Sequence, residues 1–161
     1  MKNLILVRHA KSSWETPLKD KHRPLSKKGL QAAHLVSSYV STYLPKSYLF
    51  WTSIADRASQ TALIFAQNIS YPIESIIYKE DLYTFDENQL AKVIKSCKND
   101  FDNVILFGHN GAITNFVNKF GDVFIENVPT SGFVFLQFDV DDWGAIQKGK
   151  TLKIIVPKDL K

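Results

Sequence analysis

Leu4-Ile5-Leu6-Val7 followed at once by Arg8-His9-Ala10 is the stretch that decides how this chain is read. Four consecutive apolar residues are the mark of a short strand buried on both faces, as in a parallel sheet with helices above and below. Val104-Ile105-Leu106-Phe107 is another such run, followed by Gly108-His109-Asn110. Between and beyond them, apolar runs alternate with helical patterns. Ser26 reads as an N-cap, and Leu30, Ala33, Val36 and Val40 share one face of a helix that Pro45 stops. Tyr48 to Thr52 reads as a strand. Asp56 to about Asn68 reads as a helix with Ala58, Thr61, Ala62, Phe65 and Ala66 inward. Ile73 to Tyr78 is a third strand, and Glu87 to about Cys97 a helix with Leu90, Val93 and Ile94 facing in. A further helix is expected over Ala112 to Phe120, with closing strands at Phe133 to Phe138 and Leu152 to Val156.

This order predicts an α/β fold, a three-layer sandwich around a mostly parallel central sheet. No internal repeat and no linker interrupts it, so residues 1–161 are expected to form a single domain. The longest irregular stretches, 12–24 and 121–132, are candidates for function because long loops in compact domains tend to carry it.

Composition removes several classes of function. With 45% apolar residues, the 161-residue chain holds enough to bury a core. One cysteine, Cys97, makes no internal bridge, which favours a reducing compartment, and the first apolar run is too short for a signal segment or a membrane span. A cytoplasmic protein is expected. The net charge of +4 is spread among interleaved acids and suits anionic substrates. No zinc-finger spacing, aromatic-basic RNA motif or glycine-rich nucleotide loop is present, so neither nucleic acid nor a membrane is an expected partner. Acids at Asp139 to Asp142 read as a solvated turn rather than a metal site. Neither a metal nor another cofactor is expected.

Ligands in open α/β sheets gather at the carboxyl ends of the strands. The residues expected there are Arg8-His9-Ala10, Ser53 to Arg57, Glu80-Asp81 and Gly108-His109-Asn110. Two arginines, two histidines and two carboxylates make an anion site with titratable groups. Phosphoryl transfer asks for a nucleophile in line with the leaving atom and fixed positive charge around the equatorial oxygens. A neutral imidazole serves the first need and a planar guanidinium the second.

These blocks together resemble the histidine phosphatase superfamily, and within it the small SixA-like phosphohistidine phosphatases. The motifs are Leu6-Val7-Arg8-His9-Ala10-Lys11-Ser12-Ser13-Trp14, Asp20-Lys21-His22-Arg23-Pro24-Leu25-Ser26-Lys27-Lys28-Gly29, and Ser53-Ile54-Ala55-Asp56-Arg57-Ala58-Ser59-Gln60-Thr61-Ala62. Asp81-Leu82-Tyr83, Gly108-His109-Asn110-Gly111 and Asn127-Val128-Pro129-Thr130-Ser131-Gly132 follow in order. The resemblance implies a histidine-phosphatase-like fold. It implies that His9 becomes phosphorylated, that Arg8, Arg57 and His109 form the phosphate pocket, and that water then frees phosphate. His109 should be protonated for this, which needs a partner to offset the arginines. Ser12 and Asn110 are further candidates for substrate binding, although a loop-stabilising hydroxyl is the favoured use of Ser12. Arg23 is expected to anchor the long loop by pairing with an acid, and Trp14, Trp51 and Trp143 to pack.

Ala10 stands where the superfamily commonly has glycine, and Ile54 where it often has proline. The resemblance puts the general acid of the larger members at Asp81 or Glu80, with Asp81 favoured beside Leu82-Tyr83; the alternative is that neither serves and both are surface charges at a strand end. A poorly specified acid favours a phosphoramidate, whose leaving group can already carry a proton and needs less help from an acid. The short run from residue 79 to residue 103 leaves no room for a covering subdomain. Both points favour a phosphorylated protein over a small phosphorylated substrate. The alternatives are a phosphatase of small phosphoesters, with mutase activity further behind, and a non-catalytic module that binds phosphorylated partners. Nothing in the sequence fixes the oligomeric state.

Overall fold

The computed structural model describes residues 1–161. Six strands, β1 (Lys2–Arg8), β2 (Leu49–Ser53), β3 (Ile77–Lys79), β4 (Asn103–Gly108), β5 (Phe133–Phe138) and β6 (Lys150–Ile155), form one sheet in the order β3-β2-β4-β1-β5-β6. The pairs β2/β3, β2/β4 and β1/β4 are parallel, whereas β5 runs antiparallel to both β1 and β6. Hence β6 points the same way as β1, and five of the six strands end on the same edge of the sheet.

Four helices cover it: α1 (Lys27–Val40), α2 (Asp56–Asn68), α3 (Glu87–Lys95) and α4 (Ala112–Phe120). Alternation along β1 divides the core in two. Leu4 and Leu6 join Leu90, Val93, Ile113 and Phe116 under α3 and α4, while Ile5 and Val7 join Ala33, Val36, Phe65 and Phe107 under α1 and α2. The sheet is therefore the middle layer of three, mixed but mostly parallel.

The expected helix pattern needs one correction. Leu30 is 42% exposed, and the buried face of α1 is Gly29, Ala33, Val36, Ser37 and Val40. A Cβ on Gly29 would lie 2.1 Å from the carbonyl oxygen of Lys11, so only glycine lets the helix approach the loop that follows β1. Ser26 caps α1 by accepting from the Gly29 amide at 3.0 Å. The third strand is also shorter than expected. A 3₁₀ turn at Ile73–Ser75 follows Pro72, which leaves only Ile77–Lys79 to pair along the sheet edge. No helix is long and apolar enough to cross a membrane.

Candidate functional site

His9 and His109 come directly after β1 and β4, and the β1/β4 ladder continues one step past the strand through His9 N–H donating to the Gly108 carbonyl at 3.1 Å. That shared register sets their rings side by side, with centroids 5.3 Å apart and planes tilted by 53°. Arg57, in the first turn of α2, is 2% exposed and places its Nε 3.4 Å from Nε2 of His9. Opposite, Ser131 takes a left-handed φ of 63° and aims its N–H at the carbonyls of Arg8 and His9, at 3.0 and 3.2 Å.

The orientation of the His9 ring follows from one contact. Nδ1 lies 2.7 Å from the carbonyl oxygen of Ala10, which can only accept, so Nδ1 carries the proton and Nε2 keeps a lone pair. Burial lowers the ring's pKa to about 4, and Arg57, Arg8 and Arg23 add to that while the Ala10 contact opposes it. At neutral pH the ring is uncharged, with a lone pair held against a guanidinium.

His109 is also neutral. Burial first, then His9 and Arg57, lower its pKa to about 3, against a smaller opposing pull from Asp20. Its Nε2 is 2.8 Å from the Ser53 hydroxyl, and its buried Nδ1 has no protein partner. The structure thus supplies a partner, Ser53, but no counter-charge at that atom, and the expected imidazolium is not the resting form. Tyr83 and Phe85 flank the ring at 5.2 and 5.4 Å between centroids.

Arg8 donates from Nη1 to the Val128 carbonyl at 2.9 Å, leaves Nε buried and unpartnered, and contributes its positive field to both histidines. Four of the expected residues make other contacts or none. Asp81 and Glu80 lie in an exposed 3₁₀ turn, Glu80–Leu82, and neither carboxylate meets a hydrogen-bond or ion-pair partner. That turn instead buries Leu82. Asn110 spends its amide on structure: Nδ2 donates to Asn127 at 2.7 Å, while Oδ1 accepts from the Thr114 amide at 3.0 Å, tying α4 to the 121–132 loop. The Ser12 hydroxyl accepts from Arg23, the loop-stabilising use.

The carboxylate that does enter the cluster is Asp20. It pairs with Arg57 at 3.0 Å and with Arg23 at 3.0 Å, and accepts the Tyr83 hydroxyl. Tyr83 first, then the two arginines, hold it well below the usual carboxylate range. Arg23 is 6% exposed and stacks under Trp14, which puts a third guanidinium near His9. The signal available for Asp20 was its spacing, three residues before Arg23, in a stretch otherwise read as loop. Asp139 to Asp142 is a turn, with Asp142 accepting from Asn99 and from the Gly144 amide.

The family model described as histidine phosphatase superfamily (branch 1) matches residues 4–83. No curated protein matches the chain. Among solved structures, the protein histidine phosphatase SixA complexed with tungstate superposes with a TM-score of 0.83 at 17% identity, covering 99% of each chain. A SixA from Agrobacterium tumefaciens, described as a phosphohistidine phosphatase, gives 0.74 at 20% identity, over 97% of this chain and 98% of that one. A mycobacterial glucosyl-3-phosphoglycerate phosphatase gives 0.68 at 11% identity, over 95% and 98%. At such identities these likenesses describe the fold.

Proposed function

Because the chain belongs to the histidine phosphatase superfamily (branch 1), we propose that it is a phosphatase working through His9, with phosphohistidine on a protein as its substrate. The observation that carries the reading is the polarity of the His9 ring, with Nδ1 on the Ala10 carbonyl and Nε2 beside Arg57. Nε2 forms a bond to phosphorus as the bond from phosphorus to the leaving nitrogen breaks, and the leaving imidazole departs neutral because its other ring nitrogen already holds a proton. Arg57 and Arg8 offset charge on the equatorial oxygens, and His109 donates through Nδ1 once the anion's arrival lets it take up a proton. Water then attacks phospho-His9, releasing phosphate and restoring the ring. Each of these steps uses only side chains of this protein and water.

The choice of phosphohistidine rests on the missing acid. Asp20 is held ionised by Tyr83, Arg23 and Arg57, and Glu80 and Asp81 stand outside the cluster. An alkyl ester needs a proton delivered to its leaving oxygen, whereas a phosphoramidate does not depend on one from the enzyme. Exposed aromatic residues at the mouth, Trp14 at 77% and Phe85 at 54%, suit contact with a macromolecule.

The test compares wild type and His9→Ala on three substrates: a phosphohistidine peptide, an aryl phosphate and an alkyl phosphate. Turnover of the first two by wild type only, with the alkyl ester slowest, is expected. Equal rates for wild type and His9→Ala would remove the nucleophile, and faster alkyl ester hydrolysis would move the substrate to small phosphoesters.

A further inference from the structure

A cleft of about 470 Å³ is lined by Lys11, Lys28, Lys158 and Lys161, and no carboxylate side chain is among its lining residues. None of these ammonium groups has an acidic partner within the protein. Lysines supply four of its nine lining residues, a local concentration of positive charge that attracts an anionic surface. We propose that this cleft is the docking site for an acidic surface of the phosphorylated protein, a proposal that rests on the phosphohistidine reading above.

Three separate features of the fold place the cleft next to His9. Lys11 is two residues beyond His9, and its carbonyl, which accepts from the Ser26 amide at 2.9 Å, lies against Gly29, so Lys28 is drawn to its side. Thr130, another lining residue, precedes Ser131, whose N–H bonds the Arg8 and His9 carbonyls. Lys158 follows the carboxyl end of β6, which runs parallel to β1 and so ends on the same edge of the sheet. There the short turn Pro157–Leu160 rests on the α1 side of the core through Leu160. The glycine and serine of the Ser26-Lys27-Lys28-Gly29 motif therefore do more than start a helix; they bring a lysine to the edge of the site.

A phosphohistidine brings its own charge to the pocket, so the cleft's contribution is to the protein that bears it. Charge complementarity of this kind acts mainly on encounter and orientation, and salt screens it. Substrates without an acidic neighbourhood are expected not to sense the cleft.

The experiment uses two synthetic peptides with a central phosphohistidine, one flanked by glutamates and one by lysines, with an aryl phosphate as the small reference. Wild type is compared with Lys28→Glu/Lys158→Glu. A matched reversal, Lys92→Glu/Lys95→Glu, changes the net charge equally on the last turns of α3, towards the opposite edge of the sheet. At low salt, wild type is expected to favour the glutamate peptide by about tenfold in kcat/KM, a preference that 0.5 M salt erases. The cleft variant should lose or reverse that preference, the α3 variant should keep it, and aryl phosphate turnover should be unchanged in all three. No preference in wild type, or equal loss in both variants, overturns the docking site while leaving the phosphatase reading intact. Failure of wild type on both peptides, with the aryl phosphate still hydrolysed, overturns the phosphohistidine reading and the docking site with it.

Discussion

Asp20 occupies both outer positions of the Arg57 guanidinium: its carboxylate is 3.0 Å from Nη2 and its main-chain oxygen 2.8 Å from Nη1. The remaining nitrogen, Nε, faces His9. One residue of a surface loop thus fixes the plane of a buried cation and places an internal anion beside the cluster that holds both histidines.

Replacing that carboxylate separates its two effects. Asp20→Asn keeps the side-chain size but removes the charge shared by Arg57 and Arg23. Sulfate, which stays dianionic, should bind about tenfold tighter, because a competing negative charge has gone. The fold should lose about 1–2 kcal/mol, since Arg57 is buried and left short of a partner, discounted for the exposure of Asp20. Anion titration and urea unfolding measure the two, and weaker sulfate binding would contradict the competition.

Arg57→Lys tests geometry at constant charge. A lysine offers one ammonium in place of three nitrogens that separately reach His9 Nε2, the Asp20 carbonyl and the Asp20 carboxylate. Aryl phosphate kcat is expected to fall about 100-fold with little change in the folded structure. A loss under threefold would mean that charge alone suffices.

Acid should affect activity and stability over different ranges. The His9 ring is neutral above a pKa of about 4, so kcat/KM should hold from neutral pH downward and drop only on approach to 4, instead of at 6.5. For stability, both buried histidines have folded pKa values below the unfolded one, so the unfolded chain binds more protons as pH falls. Their contribution is complete above about 6.5 and is lost progressively between there and 4 to 3, at about 1.4 kcal/mol per unit per group at most. Urea unfolding across pH 7 to 4 should show that slope, and His9→Gln should reduce it.

Gly29→Ala probes the approach of α1 to Lys11. The added methyl would meet a main-chain oxygen at 2.1 Å, and backbone cannot move aside as a side-chain tip would. A destabilisation of about 2–3 kcal/mol is expected by thermal or urea unfolding, in place of the small gain that Gly→Ala usually brings inside a helix. Any increase in stability would show that the loop after β1 is free to shift.

Much of this molecule was readable before any coordinates. Helices Asp56–Asn68 and Ala112–Phe120 and the strand Phe133–Phe138 fall where periodicity puts them, because each has an unbroken apolar face and a clear stop. Leu30 misled because hydrophobicity outweighs glycine in any pattern, whereas here contact with the Lys11 carbonyl decided which side faces in. The two histidines were legible because they directly follow strands in a parallel sheet, whose strand ends share an edge, and Arg57 because it opens the helix that follows such a strand. Asp20 and Tyr83 were not, being brought together by a hydrogen bond across 63 residues of sequence. Asp81, adjacent in sequence to the right segment, lost its place to the local turn, which points Leu82 inward and the acid out.

Trp14 has a consequence of its own. Its indole lies 3.6 Å from the Arg23 guanidinium, open to water, while Trp51 and Trp143 are enclosed in the core. The chain therefore carries an intrinsic fluorophore on the one loop whose arginine holds Asp20. Emission from that indole can report, in unlabelled protein and in real time, each departure of that loop from His9.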